Sequence, residues 1–231
     1  MYCSVIIAAA GQGKRMQSEI NKQYIKLINK PILAYTIEAF EKIEDVKEIV
    51  VVVAKDEIDL CLHSVIQPYG FKKIKKIVEG GKERQDSIYQ GLQGLSQKTE
   101  IVLIHDGARP FVQEEEIKKS IHVASVEGAC VIGVRAKDTI KRVDDQQIII
   151  ETPDRKQLWM VQTPQTFQYE LLQQAYRKAQ EDHFMGTDDA SLVERLKIPV
   201  KMVEGKYTNI KITTPEDLLY GEIILRQQKR C

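Results

Sequence analysis

The chain has 231 residues, of which 43% are apolar and 29% charged, with a formal net charge of +1. Such a balance belongs to an ordinary globular protein and gives no global basic field for nucleic acid. No apolar run approaches the roughly 20 residues of a membrane helix. Residues 5–7, Val-Ile-Ile, read as a strand buried on both faces. It stops at Ala8, Ala9 and Ala10, then Gly11, Gln12, Gly13, Lys14 and Arg15 follow. Small residues, free amides and cations at a strand end suit a nucleotide phosphate. The pattern G-x-x-x-x-G-K-[ST] is absent, and G-x-G-x-x-G fails at Met16. Lys22 adds a third cation. Leu33, Ile37 and Phe40 place a helix over 34–43, Pro31 suiting its start. Residues 48–54 read as a second buried strand, and 56–66 as a helix stopped by Pro68, Tyr69 and Gly70. A short strand over 72–78 carries Lys72, Lys73, Lys75 and Lys76 as a solvated edge. The glycine turn at Gly80 and Gly81 leads through Ser87 into a helix reaching Leu95. Residues 101–104 form a strand ending at His105 and Asp106, 114–126 a helix and 129–134 another strand.

Strands alternating with helices predict an α/β fold with an open, mostly parallel sheet and helices on both faces. The rhythm breaks over about 137–162, which reads as a hairpin arm with an uncovered Ile148-Ile149-Ile150 run and a partner subunit as its cover. Helices resume over 169–181 and 188–196, strands are expected at 199–203 and 207–213, and a closing helix at 215–226 with Thr214 as N-cap. The whole chain reads as one domain bearing an arm. Cys3, Cys61, Cys130 and Cys231 form no C-x-x-C pair, and the four histidines show no H-x-x-x-H spacing, so a zinc site is not expected. Ala8-Ala9-Ala10 looks like a signal cleavage site, but neither a cationic region nor a long enough apolar run precedes it. A cytoplasmic protein is expected.

In open α/β sheets ligands bind beyond the carboxyl ends of the strands. The polar clusters at 11–22, 80–87, 106–109, 138–139 and 211–213 fall on that edge. Lys14, Arg15 and Lys22 form one cationic set, suited to a triphosphate. Arg109, Arg155 and Lys211 form a second, suited to another anion. Asp106, directly after a buried strand, is either a holder of a divalent metal or a loop or cap carboxylate. Two anions brought together imply phosphoryl or nucleotidyl transfer, which rests on positioning and charge neutralisation. No G-x-S-x-G elbow is present.

Nine motifs then run in order: Ala9-Ala10-Gly11-x-Gly13-x-Arg15-Met16, Lys22-Gln23-Tyr24, Gly80-Gly81-x-x-Arg84-x-Asp86-Ser87, His105-Asp106-x-Ala108-Arg109-Pro110, Asp138-Thr139, Thr152-Pro153-Asp154-Arg155, Gln162-Thr163-Pro164-Gln165, Thr187-Asp188-Asp189 and Asn209-Ile210-Lys211-x-Thr213. Over nearly its whole length the chain closely resembles the 2-C-methyl-D-erythritol 4-phosphate cytidylyltransferases of the non-mevalonate isoprenoid pathway. The resemblance implies a Rossmann-like nucleotidyltransferase domain, a homodimer joined through the arm, and Mg²⁺-dependent transfer of CMP from CTP to methylerythritol 4-phosphate. It implies that Arg15 and Lys22 stabilise the transition state and that Ala9, Ala10, Gly81 and Ser87 hold cytosine. The triphosphate would lie along Gly11, Gln12, Gly13 and Lys14, with Asp106 at the metal and ribose. Arg109, Thr139, Thr163 and Lys211 would hold the second substrate, joined by Arg155 from a neighbouring subunit. Lys82 stands where the family often has an acidic residue, and Gly107 where alanine is common. Ribitol 5-phosphate cytidylyltransferases share several motifs and are an alternative, as is a non-catalytic nucleotide-binding module on the same fold.

Overall fold

The computed structural model describes residues 1–11 and 21–228. Gln12, Gly13, Lys14, Arg15 and Met16, and likewise Cys231, lie outside the described residues. Strand β1 (Cys3–Ala9) leads to a one-turn 3-10 helix at Lys22–Tyr24 and a small ribbon of β2 (Lys26–Leu27) and β3 (Lys30–Pro31). Helix α1 (Ile32–Glu41) and strand β4 (Val46–Val53) follow. The next helical run passes through α2 (Ile58–Cys61), a π-helical stretch and α3 (Gln67–Tyr69). Pro68 sits inside that run, not at its end. The stop is Gly70, whose left-handed φ of 63° closes the helix.

Then come β5 (Ile74–Glu79), α4 (Arg84–Gly94), β6 (Ile101–Asp106), α5 (Glu114–Glu127) and β7 (Ala129–Arg135). The arm is a short hairpin of β8 (Arg142–Val143) and β9 (Ile149–Glu151). Strand β10 (Trp159–Gln168), α6 (Tyr169–Glu181), α7 (Asp189–Arg195), β11 (Lys201–Glu204) and α8 (Pro215–Gln228) complete the chain.

Seven strands form one sheet in the order β11-β7-β10-β6-β1-β4-β5. All neighbours run parallel except β10, which is antiparallel to both β6 and β7. Alternate residues of β1 point to opposite layers. Val5 and Ile7 share one core layer with Leu33, Ile37 and Phe40 of α1 and Ile117 and Ile121 of α5. Ile6 faces the other layer with Ile88 and Leu92 of α4 and Leu172 and Tyr176 of α6. Full burial of each aliphatic side chain contributes about 1.5–3 kcal/mol, which fixes β1 at the centre and its end at the sheet's edge.

One strand lies where the sequence pattern places none, and one expected strand is corrected. The sequence pattern gives no strand over 163–168, because Gln162, Thr163, Gln165 and Thr166 are polar and Pro164 interrupts the run. Those residues are nonetheless buried between β6 and β7, and the β7 pairing shifts register across Pro164. Conversely, 207–213 is not a strand. Its backbone is engaged by the turn after β6: Arg109 Nη1 donates to the Asn209 carbonyl at 2.9 Å, and Ile212 N to the Ala108 carbonyl at 2.8 Å. Asp217 accepts from the amides of Thr213 and Thr214 at the start of α8.

Candidate active site

A cavity of about 190 Å³ opens at the carboxyl ends of β1 and β6. Ala9, Ala10 and Gly11 form one lip, and Gly81 and Ser87 the opposite lip. Asp106 lies at its floor beside Lys211, and Lys22 also lines it. The lips are close because neither has bulk. A Cβ on Gly80 would lie 2.5 Å from Ala10 Cβ, and one on Gly81 2.3 Å from Asp86 Cβ. Ser87 Oγ donates to the Glu83 carbonyl at 3.0 Å and accepts from Gly81 N at 3.1 Å, so it holds the glycine turn against α4. Gly107 is equally constrained, since its Cβ would lie 3.0 Å from Ala9 Cβ and 3.1 Å from the Ala8 carbonyl.

Electrostatics centre on Asp106. Its Oδ2 lies 2.9 Å from Lys211 Nζ and 3.4 Å from Arg109 Nε, and its Oδ1 lies 3.8 Å from Arg84 Nε. Burial alone would raise the pKa of this carboxyl, but Lys211, Arg84 and Arg109 hold it well below the usual carboxylate range. Arg84 Nη2 also meets Asp189 Oδ2 at 2.8 Å. Burial disfavours the Arg84 cation, yet Asp189 and Asp106 outweigh it and raise its pKa. For Arg109 burial prevails over Asp106, and the pKa is lowered. Three cations against two carboxylates leave this cluster with a net charge of +1, so it favours an anion although an aspartate stands in it.

A layer beneath fixes the floor. His105 Nε2 lies 2.9 Å from the Arg109 carbonyl, which only accepts, so Nε2 carries the proton. Burial pushes the imidazole pKa down to about 4, leaving it neutral with Nδ1 as an acceptor. Thr163 Oγ1 therefore donates to His105 Nδ1 at 3.0 Å and accepts from Asp106 N at 3.1 Å. Asn209 Nδ2 donates to the Thr163 carbonyl at 3.0 Å. Gln165 Oε1 accepts from the amides of Asp189 and Ala190 at the start of α7, setting Asp189 toward Arg84.

The structure thus brings Ala9, Ala10, Gly11, Lys22, Gly81, Ser87, Asp106 and Lys211 to one cavity, with Arg109 paired to its floor. Thr163 is in the layer below. Thr139 and Arg155 stand on the exposed arm and do not line the cavity. Arg155 Nη1 donates to the Lys137 carbonyl at 2.9 Å. Sequence reasoning gave no role to Arg84, His105, Gln165, Asp189 or Asn209. All five lie within the quoted motifs, which was the signal available. Glu57 lies in none of them. No group of three or more potential metal-ligating side chains occurs among the described residues, and no described helix is long and apolar enough to cross a membrane.

The family model for IspD, 2-C-methyl-D-erythritol 4-phosphate cytidylyltransferase, matches residues 3–227. A 2-C-methyl-D-erythritol 4-phosphate cytidylyltransferase of Clostridioides difficile is 53% identical over 230 residues, covering 100% of this chain and 96% of the relative. That of Alkaliphilus metalliredigens is 52% identical over 226 residues, covering 98% and 94%. The crystal structure of 4-diphosphocytidyl-2C-methyl-D-erythritol synthase from Anaerococcus prevotii superposes with a TM-score of 0.86 at 35% identity, covering 97% of this chain and 96% of that one. The chain belongs to the 2-C-methyl-D-erythritol 4-phosphate cytidylyltransferase family.

Proposed function

We propose that the chain transfers CMP from CTP to 2-C-methyl-D-erythritol 4-phosphate, giving 4-diphosphocytidyl-2-C-methyl-D-erythritol and pyrophosphate. An oxygen of the substrate phosphate attacks the α-phosphorus of CTP in line. A P–O bond forms there as the bond to the bridging oxygen breaks, and the electron pair leaves with pyrophosphate. The attacking phosphate is already an anion, so no general base is required. The observation that carries the reading is one cavity with small residues on both lips and cations paired with Asp106 at its floor. Gly81 and Ser87 suit a flat base, since side-chain bulk is missing there. Lys22 would offset charge developing on the α-phosphoryl oxygens, an effect typically worth several kcal/mol of barrier. Lys211 and Arg109, anchored on Asp106, would receive the second phosphate. Arg15 enters this reading through the sequence alone.

A divalent metal, Mg²⁺, fits the donor set. Asp106 ends at the cavity, and among the described residues the cation paired with its Oδ1, Arg84, stands 3.8 Å away. Magnesium takes one or two carboxylates and fills its shell from phosphates and water. When bound it would neutralise phosphate charge. Arg155 and Thr139 do not line this cavity and would serve that of a neighbouring subunit. Ile148, Ile149 and Ile150 are 60%, 57% and 52% exposed, an apolar face that supports a homodimer through the arm. Buried free thiols at Cys3, Cys61 and Cys130 suit a cytoplasmic setting.

The test is pyrophosphate release from CTP and Mg²⁺ with methylerythritol 4-phosphate or ribitol 5-phosphate in separate reactions. Release with the first alone is expected. Release with ribitol 5-phosphate alone would overturn the assignment of substrate.

A further inference from the structure

Glu57 is charged, far from the motifs in sequence, and only 5% exposed. It ends the 3-10 turn Lys55–Glu57 that follows β4. Three donors from one short segment converge on its carboxylate. Gln23 Nε2 donates at 3.1 Å and Tyr24 Oη at 3.4 Å, and Asn21 Nδ2 donates as well. Gln23 Nε2 also donates to the Ala9 carbonyl at 2.8 Å, at the end of β1. The 3-10 turn Lys22–Tyr24 is thereby fastened to both β1 and the β4 unit. Lys22 lies between two of the three fastened residues; Lys22 and Gln23 both line the cavity, and Gln23 and Tyr24 are buried.

A buried carboxylate is costly unless its oxygens are fully hydrogen-bonded, and a fold has cheaper ways to fill that space with an aliphatic group. Cys61 and Val65 pack in the same core layer without any charge. Lys22 carries its charge on a flexible four-carbon stem that starts from this turn, so whatever fixes the turn sets where that stem begins. We propose that Glu57, acting with Gln23, is a positioning residue for the transfer reaction: its carboxylate fixes the Lys22–Tyr24 turn and so sets where Lys22 meets the α-phosphoryl group. This rests on the cytidylyl-transfer reading for its kinetic consequence, though not for the clamp itself.

The test is a double-mutant cycle, read as kcat with saturating CTP and methylerythritol 4-phosphate. Glu57→Gln keeps the size of the side chain but turns an NH₂ group toward donors. It is expected to lower kcat about tenfold or more, the size seen when support around a functional group is removed, with KM for CTP changed less than about threefold. In a Lys22→Ala background the same change is expected to cost less than about twofold, because the group being positioned is gone. Gln23→Leu is expected to show the same non-additivity, which covers a poorly folded Glu57→Gln. Equal losses in both backgrounds, or no loss in either, would overturn the proposal. Amide exchange on the same samples is independent of turnover. Tyr24 and Ile25 N–H, bonded to the carbonyls of Asn21 and Lys22, are expected to exchange faster in Glu57→Gln while β1 and β6 are unchanged. Unchanged exchange at Tyr24 and Ile25 would overturn the clamp, whereas a wild-type chain inactive toward both substrates would overturn the functional reading and leave the exchange result to judge the clamp.

Discussion

Replacing Thr163 by valine removes one hydroxyl and strands two buried partners. The hydroxyl accepts from Asp106 N at 3.1 Å and donates to His105 Nδ1 at 3.0 Å, in a site where His105 is fully buried and Thr163 is 5% exposed. Each buried polar group left without a partner costs about 1–3 kcal/mol. Two such groups give about 2–6 kcal/mol, little offset by the extra methyl. At about 2–4 °C per kcal/mol for a chain of this size, Tm should fall by between about 4 and 24 °C. Thr163→Ser keeps the hydroxyl and should stay within about 1.5 kcal/mol of wild type, the loss of one buried methyl. The penalty should be the same at pH 8 and pH 6.5, because burial holds the imidazole pKa at about 4 and Nδ1 remains an acceptor throughout. Turnover should fall too, since the Asp106 backbone loses its anchor. Differential scanning calorimetry on the three proteins at both pH values checks this. A Thr163→Val Tm within about 2 °C of wild type would show that the hydroxyl is not a needed partner, and the account of the cavity floor would fail.

Lys22→Ala and Lys211→Ala should each lower kcat/KM by about 10²-fold or more with cooperative unfolding retained, the loss typical of removing one charge-stabilising group; near-normal turnover in steady-state assays would remove that role. Arg155→Ala mixed with Lys22→Ala should regain activity through hybrid dimers, each supplying what the other lacks. Absence of complementation would mean that Arg155 serves its own subunit or none. Acid should destabilise the fold in a defined window. Unfolded histidine takes up its proton near pH 6.5 while folded His105 resists until about pH 4, so the unfolded state binds more protons in between. Stability from this group is complete above pH 6.5 and falls by up to about 3 kcal/mol as pH drops toward 4. Asp106, whose folded pKa is depressed, adds a further loss as pH falls below the ordinary carboxylate value of 3.8. Urea midpoints of wild type and His105→Gln across that window should show the slope only in the wild type; parallel slopes would sink the assignment.

Both lips of the cavity were legible in the sequence because local chemistry defines them. A strand that ends in Ala9, Ala10 and Gly11, and a turn at Gly80 and Gly81, betray a close approach without any partner being known. Asp106 was legible for the same reason, as a carboxylate directly after an apolar strand. Its surroundings were not. Arg84 and Asp189 are 105 residues apart, and only the fold, which brings the first residues of α4 and α7 together, makes them a pair. Glu57 reads as one of several acidic residues at a helix start until β4 places it under Gln23. Strand β10 was hidden because its inward side chains are polar and satisfied by hydrogen bonds, as Thr163 and Gln165 are. Residues 207–213 gave the opposite error: β-prone side chains, with a backbone already committed to the 106–109 turn.

The central claim is that the cytidylyl phosphorus moves to the phosphate of methylerythritol 4-phosphate. Incubation of the wild-type chain with CTP labelled at the α-phosphate, Mg²⁺ and that acceptor should place the label in 4-diphosphocytidyl-2-C-methyl-D-erythritol, with one unlabelled pyrophosphate released per transfer. Label that remains in CTP, or leaves it only when ribitol 5-phosphate is supplied, would contradict the account.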